Sequence, residues 1–82
     1  MVTVRFLNLL RSKYRVEQLN VKAGTLGNVL EQILQQVPAM KKNDFEHAVI
    51  FINDVQLVHV SDGNAEVNDG DTVLITHFVG GG

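Results

Sequence analysis

One amphipathic helix constrains this chain more than any other feature. Leu26, Val29, Leu30, Ile33, Leu34 and Val37 fall on one side of a 3.6-residue helix, while Asn28, Glu31, Gln32, Gln35 and Gln36 fall mainly elsewhere. Thr25 is the expected N-cap, because its hydroxyl can accept from a backbone N–H that has no helical partner. The capping box is incomplete, with Asn28 where Glu or Gln would stand. Pro38 ends the helix by forcing residue 37 out of helical geometry. The chain has 82 residues, enough for one domain and one core. A single helix with one apolar face then needs a sheet to cover it.

The rest of the chain supplies strands. Val2, Val4 and Phe6 alternate with Thr3 and Arg5, the period of a half-buried strand. Residues 14–21 read as a second strand, with a bulge where the apolar parity slips between Val16 and Leu19. Asn8 to Lys13 reads as the connection. Residues 39–47 are polar and irregular, with room for a short helical turn. Val49–Ile52 reads as a buried strand, Asn53-Asp54 as a turn tolerant of positive φ, and residues 55–60 as a short edge strand. Turns at 61–64 and 68–71 follow, and a last strand runs from Thr72 to about Phe78.

That order predicts an α+β, β-grasp (ubiquitin-like) fold. It has a mixed sheet of four to five strands and one main helix packed on one face. The first and last strands lie parallel at the centre. Val73 and Ile75 then face inward with Val2, Val4 and Phe6, and Leu74, Thr76 and Phe78 face out. Leu74 and Phe78 on an outer face are either scattered surface residues or a partner contact. The division expected is a domain over 1–78 and a flexible Gly-rich tail over 79–82.

Composition removes several classes. Apolar residues make up 45% of the chain, too many for disorder. The net charge is −2 and the basic residues are scattered, so no nucleic-acid partner is expected. Without cysteine there is no disulfide, thiol nucleophile or Cys-ligated metal, which fits a cytoplasmic protein. No signal peptide is recognised, and the apolar run Ala48–Ile52 is too short for a membrane span. His47, His59 and His77 lack metal-ligand spacing, and Asp69-Gly70-Asp71 reads as a turn instead of a calcium loop. No metal site is expected, and no carboxylate pair or serine motif argues for catalysis.

The ending, Phe78-Val79-Gly80-Gly81-Gly82, carries the chemistry. Three glycines extend about 10 Å and form the narrowest tail a polypeptide can make. Such a tail can thread its carboxylate into another protein's active site. A carboxylate must first be activated, as an acyl-adenylate, before a sulfur donor or an amine attacks. The terminus is then a reactant, and the partner supplies the nucleotide site.

The sequence resembles the MoaD/ThiS family, the small subunits of molybdopterin synthase and the thiamin-pathway sulfur carriers. The resemblance rests on Val2-Thr3-Val4-Arg5-Phe6-Leu7, Gly24-Thr25-Leu26, Ile52-Asn53, Val67-Asn68-Asp69-Gly70-Asp71-Thr72-Val73 and Gly81-Gly82. It implies that Gly82 accepts AMP and then sulfur, with Gly81 as the other member of the required pair. Gly80, Val79, Phe78 and Leu74 are then expected in partner contacts. The implied partners are a ubiquitin-activating-type adenylating enzyme, which uses ATP, and a sulfur-acceptor enzyme such as the molybdopterin synthase large subunit. The chain itself is expected to hold no cofactor and to be a carrier, not an enzyme, though it could serve as the synthase's small subunit. His77-Phe78 stand where the molybdopterin branch usually has prolines, and Asp54 where Gly is more usual. A protein modifier conjugated through Gly82, a thiamin-pathway carrier and a plain interaction module remain as alternatives.

Overall fold

The structure is a computed structural model that describes residues 1–46, 48–56 and 63–77, with residues 8–10 and 77 described by their backbone alone. The elements in chain order are β1 (Val2–Leu7), α1 (Asn8–Tyr14), β2 (Gln18–Val21), β3 (Gly24–Thr25) and α2 (Leu26–Gln36). There follow α3 (Lys42–Glu46), β4 (Ala48–Ile52), β5 (Val55–Gln56), β6 (Glu66–Val67) and β7 (Thr72–His77). The main sheet has the order β2-β1-β7-β4-β5, and β3 pairs with β6 in a separate ribbon. β1 and β7 are parallel, with Val4 opposite Val73 and Phe6 opposite Ile75. The other pairings are antiparallel. This is the expected mixed five-stranded sheet with its central parallel pair.

The inner face of the sheet and α2 make the core. Val2, Val4, Phe6, Val73, Ile75 and Ile50 meet Leu26, Val29, Leu30 and Ile33, all buried. Thr25 caps α2 as expected, accepting from the Asn28 N–H at 3.2 Å. The helix ends at Gln36, and Val37 caps it by donating its N–H to the Ile33 carbonyl. Two further core residues, Met40 and Phe45, come from the segment that reads as irregular in sequence. Phe45 is the inward side chain of α3, so the short helical turn anticipated there plugs the end of the core.

Three expectations are corrected. The strand over 14–21 is four residues long and begins only at Gln18; what precedes it is the helix α1. The parity slip at Val16 is therefore a change of element, not a bulge. Arg15 ends α1 in the left-handed region, with φ of 52°, and turns the chain into β2. Tyr14 and Val16 still pack against the core, which is why they look strand-like in sequence. Secondly, β4 is fully buried only at Ile50: Ala48 and Ile52 on the same face are partly buried against the core, and Val49 and Phe51 on the other face are half-buried. Thirdly, Gly24-Thr25 and Glu66-Val67 form a two-stranded ribbon that no alternation announces. Of the edge strand over 55–60, only Val55–Gln56 is described; 57–62 lie outside the described residues.

Asn53 and Asp54 connect β4 and β5 with φ of 50° and 70°. Both values belong to a type I′ turn, whose second position favours glycine. Asp54→Gly should therefore stabilise the fold by about 0.5 kcal/mol, the residual after the freer unfolded chain is counted. Thr25→Ala should cost about 1 kcal/mol through loss of the cap. Urea unfolding should report both as shifts in midpoint at unchanged slope.

Candidate functional site

β7 carries the tail, and its register is fixed at one end. Asn53 donates from Nδ2 to Asp71 Oδ1 at 2.8 Å, and Asn53 Oδ1 accepts from the Thr72 N–H at 2.9 Å. The other Asp71 oxygen accepts from the Asn68 N–H at 2.8 Å. These bonds close the 68–71 turn and leave Gly70 at φ of 90°, a value favouring glycine. The Asn68 amide first, then the Asn53 side chain, hold the Asp71 carboxyl below its ordinary value. The Met1 amino group lies 2.9 Å from Asp69 Oδ1 beside the same turn. The lock therefore sits at the start of β7, and the strand's other end leads to residue 78.

Among the expected contact residues, Leu74 is described. It lies on the outer face, opposite Arg5 of β1 and Phe51 of β4. Phe78, Val79, Gly80, Gly81 and Gly82 lie outside the described residues. Around Leu74 the structure gathers residues that the sequence reading did not single out. Thr76 stands between Leu7 and Val49, so Leu7, Val49, Phe51 and Leu74 share one face with Arg5. Leu7, Val49, Phe51 and Leu74 are half-buried and belong to neither the core nor its packed fringe. Arg5 is exposed among them. The signal for Val49 and Phe51 was their parity against Ile50, legible only once β4 is known to have an open face.

Elsewhere the polar side chains serve the fold. The Tyr14 hydroxyl donates to Asp44 Oδ2, and that oxygen also accepts from the Lys41 N–H at 2.9 Å. Asp44 thus ties α1 to the start of α3, and the Tyr14 hydroxyl is held above its usual pKa chiefly by that bond. A cleft of about 580 Å³ lies between α2, α3 and Gly63-Asn64, with no lining from β1, β4 or β7. Among the described residues no group of three or more His, Cys, Asp or Glu is placed to hold a metal ion. Among them, too, no helix is long and apolar enough to cross a membrane.

Comparison with known proteins gives this geometry its class. The ThiS family model matches residues 4–82, and the chain belongs to that family. Its fold is shared by small archaeal modifier protein 1 of Methanosarcina acetivorans, at 23% identity over 99% of this chain and 95% of that one, with a TM-score of 0.82. A chain of the Amycolatopsis orientalis BexX/CysO complex is 24% identical, covers both chains fully and has a TM-score of 0.76. A chain from the complex of subunits 1 and 2 of molybdopterin-converting factor of Helicobacter pylori is 28% identical. It covers 99% of this chain and 97% of that one, with a TM-score of 0.68. No curated protein sequence matches.

The Asp71 lock has a pH signature. A carboxyl whose folded pKa lies below its unfolded value contributes stability that is present above the unfolded value and lost as pH falls through the folded one. Wild-type stability should therefore decline, as acid takes the pH below the ordinary aspartate range, more steeply than that of Asp71→Asn. The difference between the two, measured by chemical unfolding, should be largest near neutrality and vanish in strong acid.

Proposed function

We propose that this chain is a sulfur carrier whose Gly82 carboxylate is adenylated by a ubiquitin-activating-type enzyme and converted to a thiocarboxylate. The observation that carries the reading is a Gly81-Gly82 ending that follows the registered strand β7 in sequence, after Phe78, Val79 and Gly80, in a family match that runs through Gly82. The carboxylate attacks the α-phosphorus of ATP in the partner's site, and pyrophosphate leaves. Sulfide or its equivalent from a donor then displaces AMP from the acyl carbon. This chain supplies the carboxylate and a docking face; the partner supplies the nucleotide site. Membership of the family and likeness to the Helicobacter pylori chain favour molybdopterin synthesis, with the synthase large subunit as sulfur acceptor.

Leu74, Phe51, Val49 and Leu7 form the face that docks, and the tail is the part that reacts. An apolar centre beside the cation Arg5 suits a partner that offers an apolar hollow edged by a carboxylate. Val79 and Phe78 would extend this contact toward the reacting end. The second reading, a modifier joined to lysine amines through Gly82, uses the same activation step. It has the archaeal modifier's fold in its favour.

Incubation with ATP, the cognate activating enzyme and a sulfur donor should exchange one oxygen for sulfur in the intact mass. A chain lacking Gly81-Gly82 should stay unchanged. Absence of both the sulfur product and the AMP ester with the intact chain refutes the carrier reading, and amide-linked adducts on other proteins favour the modifier. Leu74→Asp should raise the KM of the activating enzyme for this chain by about tenfold or more, the loss of one interface anchor. Val55→Asp, on the other parity at the edge strand, should leave it unchanged.

A further inference from the structure

The free edge of β2 raises a separate question. Strand β2 is the first in the sheet order, so among the described residues no strand neighbours one side of its backbone. The Phe6 N–H donates to the Glu17 carbonyl at 2.9 Å, which sets the alternation of the β1–β2 ladder. Glu17, Leu19 and Val21 turn their backbone groups toward β1, and Gln18, Asn20 and Lys22 turn theirs away. An edge of this kind is a template for another strand.

Helix α2 fills it. The Lys22 N–H donates to Gln32 Oε1 at 2.8 Å, and Gln32 Nε2 donates to the Lys22 carbonyl at 3.0 Å. The side-chain amide thus makes the two bonds a strand residue would make. One turn further along the helix, Gln36 Nε2 donates to the Asn20 carbonyl at 3.0 Å. Gln35, between them, is exposed and makes no such bond to β2.

We propose that Gln32 and Gln36 close the β2 edge against strand addition by a second copy of this chain. The outward groups at 18, 20 and 22 are symmetric about Asn20. Two copies could therefore pair antiparallel about a twofold axis there, Asn20 facing Asn20 and Gln18 facing Lys22. Every bond of that ladder would use the Lys22 N–H, the Lys22 carbonyl or the Asn20 carbonyl. Those are the groups the glutamines hold. The same three bonds anchor α2 to the sheet's margin, so the helix that covers the core also keeps the chain single.

The test is sedimentation velocity over a concentration series for wild type, Gln35→Ala and Gln32→Ala/Gln36→Ala. Wild type and Gln35→Ala should remain monomers. The double variant should self-associate, its association constant raised about tenfold or more, with the Gln18 and Asn20 amides gaining protection from hydrogen exchange in the associated form. A folded double variant that sediments like wild type overturns the proposal, as does association that leaves those two amides unprotected. Should the double variant not fold, amide exchange in the wild type decides. The Lys22 amide should exchange more slowly than the Asn20 amide, and equal rates overturn the proposal.

Discussion

The parallel pairing of β1 with β7 is the interaction on which the rest of the molecule rests. It joins the first strand to the last, and both inner rows, Val2-Val4-Phe6 and Val73-Ile75, are buried by it. Parallel neighbours need a long crossover, and here nearly the whole chain serves as that connection. Hydrophobic burial along this seam supplies the driving force. The hydrogen bonds of Asn53 to Asp71 and Thr72 set which residue of β7 meets which residue of β4, and those from the Thr3 N–H to the Asp71 carbonyl and from the Gly70 N–H to the Met1 carbonyl do the same for β1. Their work is register, since a slip of one residue would turn Leu74 inward and Val73 outward.

Register has a functional side as well. The strand that completes the core is also the one that presents Leu74 and leads to the glycines. The inner residues of β7 are fully buried while its outer neighbours are half-open. On the reading proposed, one strand divides its labour between its two faces, stability on one and recognition on the other. The reaction proposed belongs to the terminus and to the enzyme that receives it.

Much of this was legible in the sequence. The helix over 26–37 announced itself through six apolar positions at helical spacing, a capping threonine and a terminating proline. Alternation at residues 2–6 and 73–75 fixed which side chains enter the core. The short elements were not legible, for reasons that can be named. α1 has seven residues and no side-chain N-cap, so no periodicity accumulates. β3 and β6 are two residues each and exist through tertiary pairing. Met40 and Phe45 carry no local pattern; they are buried because α3 closes one end of the barrel-like space between sheet and helix. At the candidate site, Leu74 followed from parity along β7. Phe51 and Val49 required the knowledge that β4 lies against β7, a long-range fact that a single strand's composition does not contain. Gln32 and Gln36 read as an ordinary solvated helix face, because a polar residue looks the same whether it meets water or a neighbouring backbone.

The position of β7 also bears on how the molecule is made. Synthesis delivers β1 before the other strands of the sheet and β7 after them, and the two meet at the middle of the sheet. The nascent chain therefore carries an incomplete sheet, with the inner row of β1 unsupported on one side, until β7 has been translated. Pairing between such distant segments is slow and leaves apolar surface open meanwhile. Prematurely ended chains lacking the final strand would fail to acquire a stable core, and would be cleared by proteolysis instead of competing for partners.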